Sequence, residues 1–345
     1  MLRSPSIVVV TQATRLKGLK ARWATASAAR FRLSLAHAHV RAKAAPAAAP
    51  RGRRGEEPLI DAVSAAAEFD EYEQEDRTYE QTLEVLKREL DFGYPLKLVD
   101  RSFLPNFHFG QCLLVVVIGQ DGLVANAAKY VARTEDPDGQ ALSIVAVNPD
   151  PKRIDGVLLP FSVRQARRAV QRALEHRAEV REVTLAQVRL NDGQHMTAFN
   201  DFFLGVSSHV SARYTLRVGR RAEAQSSSGL IVATGAGSTG WLSSMFNMAG
   251  GFARQFGGAE TPPLRLDWED RRLVWAVREP FKSKHSGADL VAGLIEPGRE
   301  LVVESLMPAG GVIFSDGVES DYLEFTSGTI ATFSIAPQRA RLVVG

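Results

Sequence analysis

The chain has 345 residues, with 42 Lys and Arg against 39 Asp and Glu and a net charge of +3. Residues 1–55 hold twelve of those basic side chains and no acid, so the other 290 carry 30 basic against 39 acidic groups. An acidic body argues against a wholesale nucleic-acid binder, whose positive charge must lie on the folded domain, and a lone cysteine, Cys112, excludes an intrachain disulfide framework and fits a reducing compartment.

The longest uncharged apolar run, Cys112–Ile118, is too short to span a bilayer. No membrane or nucleic-acid partner is therefore expected. One Cys and seven scattered His give no metal-ligand spacing, so no dedicated metal site is expected either.

In chain order, Ile7–Thr11 reads as a buried strand and Thr14–Ala24 as the helix behind it. An acid-free leader rich in Arg, Ser and Ala also fits a mitochondrial transit peptide. The β-branched run so near the start favours the strand, and with it a cytoplasmic enzyme, mitochondrial import being the alternative. Ala42–Gly55 is a low-complexity loop. Tyr79, Leu83, Leu86 and Leu90 share one helical face that Gly93 ends. Leu96–Val99, Leu113–Ile118 and Leu142–Val147 read as strands, the last two uniformly apolar as in a parallel sheet covered on both faces. Helices are predicted over Leu123–Ala132 and Val163–Arg177.

After Glu179 the pattern changes to short strands: Val180–Leu190, Met196–Phe199, Phe202–Val206, Tyr214–Val218, Leu230–Thr234, Leu273–Val277, Glu300–Ser305, Gly311–Phe314, Tyr322–Phe325, Thr329–Ile335 and Arg339–Val344. Only Trp241–Phe256 reads clearly as a helix there. The expected fold is an α/β domain with a parallel sheet over 1–179, then a mostly β, sandwich-like substrate domain over 180–345. A return of the last strand to the first domain is left open.

Four loops carry the chemistry. Gly119-Gln120-Asp121-Gly122 joins a buried strand to a helix at the carboxyl end of the parallel sheet, where α/β folds bind ligands. Its Asp is badly placed for phosphate but suits taking a proton from a hydroxyl; the plain alternative is a helix cap. Thr234–Gly240 matches G-x-G-x-x-G through Gly235, Gly237 and Gly240. No strand and closing acid follow its helix, so a dinucleotide βαβ unit is excluded. Ser238 and Thr239 remain as hydroxyls able to bind a polar ligand. Asn200-Asp201 ends a strand and could hold a ribose diol or Mg²⁺, and Ser315-Asp316-Gly317 has the form of a hairpin turn.

In this order the loops resemble those of the NAD kinase family, within the diacylglycerol/sphingosine kinase-like superfamily. The likeness is nearest to the mitochondrial-type branch, through Val8–Arg15, Val147–Pro151, Ser227-Ser228-Gly229 and Arg278-Glu279-Pro280. The resemblance implies phosphorylation of NAD or NADH at the adenosine 2′-hydroxyl by ATP or polyphosphate, with Mg²⁺, in a homodimer or homotetramer. It implies Asp121 as the base, with Gly119, Gly122, Asn200, Asp201, Gly237, Ser238, Thr239, Trp241 and Ser244 lining the nucleotide sites. Gln120, Leu123, Asp201, Ser228, Gly235 and Trp241 stand where the family usually has Gly, Thr, Glu, an acid, Pro and Tyr. A related small-alcohol or lipid kinase and a non-catalytic NAD(H) sensor are the alternatives.

Overall fold

The computed structural model describes residues 5–32, 35, 63–259 and 261–345; the expected loop at 42–55 lies outside them. Four parallel strands, β1 (Ser6–Thr11), β2 (Leu96–Asp100), β3 (Cys112–Ile118) and β4 (Ser143–Asn148), stand in the order β2-β1-β3-β4. Successive side chains point to opposite faces. Ile7, Val9, Leu114, Val116 and Val145 therefore pack on helices α2 (Val63–Glu89) and α4 (Val163–Leu174). Val8, Val10, Val115, Val117 and Ile144 pack on α3 (Asp121–Val131). Helix α1 (Arg15–Trp23) follows β1, its Thr14 cap accepting from the Lys17 amide. Both sheet faces are covered over β1, β3 and β4, which is why those strands carry no polar alternation.

Helix α2 presents Tyr79, Leu83 and Leu86 to the sheet, and Leu90 follows its last turn, all four buried. Helix α4 follows the two-residue strand β5 (Phe161–Ser162), and the Gln165 side chain accepts from the Ser162 amide at its start. It stops at Leu174 rather than Arg177, because His176 adopts a left-handed φ of 53°.

Beyond α4 the chain is β-rich. Strands β6 (Val180–Leu190), β7 (His195–Ala198), β9 (Ala212–Val218), β10 (Arg221–Ser227), β14 (Leu301–Ser305) and β17 (Ile330–Val343) extend the first sheet. The hinge of that extension is β17: it pairs antiparallel with β6, and its Arg341 and Leu342 pair in parallel with Ser143 and Ile144 of β4. The two strands predicted at the C-terminus are thus one, with a register shift between Ile335 and Arg339 where Pro337 offers no N–H to the ladder. The polar edge strand β10 escaped the hydropathy reading, having little apolar alternation to show.

A second sheet runs β13-β12-β11-β8-β15-β16, comprising β8 (Asp201–Val206), β11 (Leu230–Ala233), β12 (Leu273–Val277), β13 (Ala292–Ile295), β15 (Gly311–Ser315) and β16 (Tyr322–Glu324). Its inner face (Phe202, Leu204, Val232, Trp275, Ile313) meets Val188, Tyr214, Leu216, Val303 and Phe333 of the first sheet in one core. The architecture is an α/β unit with a parallel sheet joined to a mostly antiparallel β sandwich. On the outer face, Ile231, Ala233, Val274 and Ala276 carry helix α5 (Trp241–Phe256) through Leu242. The same alternation turns Asp201, Phe203 and Phe314 outward.

Candidate functional site

The apolar β3 runs off the sheet at Gly119, where a Cβ would lie 2.8 Å from Leu123 Cδ2 and 3.3 Å from the Gln12 side chain. A side chain at Gly119 would therefore require the Leu123 side chain to move. Gln120 takes φ −111° and ψ 166°, ordinary extended backbone, so a side chain is accommodated there without strain. Asp121 does not cap α3: it is the first helical residue, and its carboxylate accepts from the amides of Leu158 (2.8 Å) and Val157 (3.3 Å). Those two bonds orient the carboxylate at the carboxyl end of the sheet. Gly122 is exposed beside it. Tyr79 braces the same edge, accepting from the Gln12 amide and donating to the Ile118 carbonyl, and burial pushes its phenol up to about 12.

The other three loops meet at Asn200. The Asn200 carbonyl accepts from the Thr234 amide (2.8 Å) and the Thr234 hydroxyl (3.2 Å). A Cβ on Gly237 would sit 2.1 Å from that carbonyl oxygen, so the glycine lets the two loops touch. Asp316, left-handed at φ 53°, accepts the amides of Asn200 (2.6 Å) and Phe199 (3.1 Å), and its own amide donates to the Asp201 carbonyl (3.0 Å). The Ser-Asp-Gly hairpin turn is thus also the clamp on the Asn-Asp strand end.

Charge is concentrated and buried here. Burial, then the Asp316 charge, raises the Asp201 carboxyl to about 7, and no protein donor reaches it among the described residues. Burial likewise raises Asp316, opposed by the Lys129 ammonium. Lys129, on α3 and 3% exposed, donates to Ser315 Oγ at 2.9 Å and lies 3.7 Å from Asp321. Burial lowers its pKa, while Asp316 and Asp321 support its charge. Tyr130 donates to Asp321 at 2.6 Å. Lys129, Tyr130 and Asp321 were not singled out by sequence, because their meeting depends on contacts 186 and 191 residues apart.

The Thr234–Gly240 loop folds into a short 3-10 turn at Ala236–Thr239. Ser238 differs from expectation: it is 1% exposed, and its hydroxyl donates to the Gly235 carbonyl (2.7 Å) while bonding Leu266. That hydroxyl holds the loop. Thr239 is exposed. Ser244 is also exposed, its hydroxyl donating to the Trp241 carbonyl. Trp241 stacks on Phe203 at 5.4 Å and lies under the Arg278 guanidinium. Gly235 has no room for a side chain, since the Asp267 carbonyl approaches within 1.9 Å of its would-be Cβ.

Three clefts follow one another across these elements. One of ≈ 110 Å³ holds Gly119, Gln120, Arg15, Asp150 and Arg153. A second, ≈ 680 Å³, lies between α3 and the Asp-Gly turn and shares Gln12 with the first. A third, ≈ 450 Å³, is lined by Phe203, Trp241 and Arg278 and shares Glu319 with the second. Asp121 is eight residues, about 12 Å along α3, from Lys129. The fold thus sets the two groups of motif residues at opposite ends of one helix. Elsewhere, Asp136, Asp138 and His176 bring ligand atoms within 4.8 Å of one another on the surface, a grouping no sequence spacing announced. No helix among the described residues is long and apolar enough to cross a membrane.

No protein family and no curated protein matches the chain in sequence. Among solved structures it is similar to yeast NADH kinase complexed with NADH, at 14% identity and a TM-score of 0.53, over 100% of this chain and 84% of that one. It is also similar to an NAD kinase from Archaeoglobus fulgidus in complex with ATP, at 19% identity and a TM-score of 0.48, over 76% of this chain and 88% of that one. At such identity the first likeness establishes the fold.

Proposed function

We propose that the chain is an NAD kinase of the mitochondrial-type branch, transferring a phosphoryl group from ATP or polyphosphate to the adenosine 2′-hydroxyl of NAD or NADH. The observation that carries this reading is the knot of three motif loops on Asn200, joined through α3 to the Asp121 carboxylate at the sheet end. Yeast NADH kinase, which shares the fold, was captured with NADH, and the same ligand class is proposed here.

Asp121 takes the hydroxyl proton as that oxygen attacks the terminal phosphorus; the bond to the leaving phosphate breaks and ADP, or a shortened polyphosphate, departs. The Val157 and Leu158 amides use one acceptor site on each Asp121 oxygen, leaving others to meet the hydroxyl. Such a loose transfer asks mainly for position and charge neutralisation. Asn200 and Asp201 hold the ribose, and Gly119, Gly122, Gly237, Thr239, Trp241 and Ser244 flank the nucleotides. Mg²⁺ arriving on ATP needs only one or two carboxylates besides phosphate oxygens. Asp201, buried without a protein donor, fits that need; bound Mg²⁺ would supply charge neutralisation on the phosphates.

The outer face of α5 exposes Met248, Phe252 and Phe256, apolar surface that supports a homodimer or homotetramer of a cytoplasmic enzyme. The decisive test is purified protein with NAD, ATP or polyphosphate and Mg²⁺, assayed for NADP. Asp121→Asn should abolish turnover with the fold intact. If wild type forms no NADP with either donor, the reading is wrong. The exposed Gln120 side chain, standing where a glycine is usual, favours a second reading as a related small-alcohol or lipid kinase. ATP turnover stimulated by other alcohols and not by NAD(H) would select it. Tight NAD binding with no turnover of any alcohol would select a sensor.

A further inference from the structure

Asn126 lies on α3 one turn before Tyr130, at the floor of the ≈ 680 Å³ cleft. It is 3% exposed, and its Oδ1 is buried with no hydrogen-bond partner. An amide buried this deeply is normally paired, and leaving it unpaired costs stability. Its neighbours on α3 are apolar and pack into the core, so a leucine there would have served folding better.

Around the amide, Asp100, Glu319 and Asp321 face a single Arg101. Such walls repel a carboxylate and favour an uncharged or cationic edge that offers N–H donors. The side-chain amide of Asn presents one acceptor beside one donor group. Its natural complement is a planar edge carrying an amino donor beside an acceptor, as in a carboxamide or an aminopurine. The cleft has room for such a ring, within the usual range for ligand sites.

We infer that Asn126 is a specificity-determining residue that reads the donor–acceptor edge of a carboxamide or aminopurine ring in the cleft between α3 and the Asp316–Asp321 turn. Applied to the proposed substrate, this rests on the NAD kinase reading and assigns the end of the dinucleotide that enters the cleft.

The test is calorimetric binding of NAD to the full chain and to Asn126→Leu, which keeps the side-chain size and removes both polar atoms. The variant should melt no lower than wild type, and its NAD affinity should fall by about tenfold or more. Two analogues separate the sources: one with a carboxylate replacing the carboxamide, one with hypoxanthine replacing adenine. Wild type should discriminate against one of them, and Asn126→Leu should lose that discrimination. NAD affinity unchanged within about twofold in the variant, or no NAD binding to wild type, overturns the inference. NADP formation with Asn126-independent binding defeats this inference alone. Asn126-dependent binding without NADP formation defeats the kinase reading alone.

Discussion

Lys129 Nζ donates to Ser315 Oγ at 2.9 Å, and this bond ties the helix that begins at Asp121 to the turn that clamps Asn200. A buried ammonium is costly unless acids face it, and Asp316 and Asp321 do so. The ion group is therefore the mechanical link between the α/β unit and the sandwich at the candidate site.

Removing that cation should be severe. Lys129→Met leaves the buried Asp316 without its compensating charge and is expected to cost about 3–5 kcal/mol in urea unfolding. The double variant with Asp316→Asn should recover part of the loss. A single variant within about 1 kcal/mol of wild type would mean the acids are already neutral.

Asp201 makes stability depend on pH. Its folded pKa of about 7 lies above the ordinary 3.8, so the folded chain holds a proton that the unfolded chain has released. Its contribution is complete below the unfolded pKa and is lost as pH rises through about 7. Melting temperatures of wild type should fall more steeply over that window than those of Asp201→Asn. The proposed Mg²⁺ contact needs the anion, so kcat/KM should rise with pH through the same value.

Gly237→Ala should separate the loops. The added methyl would meet the Asn200 carbonyl at 2.1 Å, and backbone cannot yield as a flexible side chain does. A fall of about 1–3 kcal/mol is expected, together with weaker NAD binding. Gly240→Ala, whose nearest neighbour would be 3.4 Å away, is the milder control in the same loop.

Gln120→Gly should hardly change the fold. Because Gln120 is extended and exposed, the glycine costs about 0.4–1 kcal/mol through the unfolded chain alone. Its effect belongs in catalysis: the KM for the phosphoryl donor should shift with little change in melting temperature. An unchanged KM would mean that Gln120 does not touch the phosphoryl donor.

Much of the fold was legible because its signals are local. The β-branched apolar run of β1, the unbroken apolar β3 and the 3- and 4-residue spacing of Tyr79, Leu83, Leu86 and Leu90 each specify an element before any partner is known. The four loops were found in the same way, as short strings at element ends. Signals failed where partners decide. β10 is a strand because it pairs with β9 from Arg221 to Ser227, and β17 is one strand because β6 lies along it.

Sequence by itself determined the two architectures, the order of the motifs and the residue types available for chemistry, since burial period and turn composition are properties of neighbouring residues. Only the tertiary structure decided their use. It turned Ser238 inward onto Gly235, set Asp316 on the Asn200 amide, buried Lys129 against the Asp-Gly turn and left Asn126 unpaired in a cleft. Those outcomes depend on which distant groups share a low-dielectric interior, where every polar atom must find a partner or lack one.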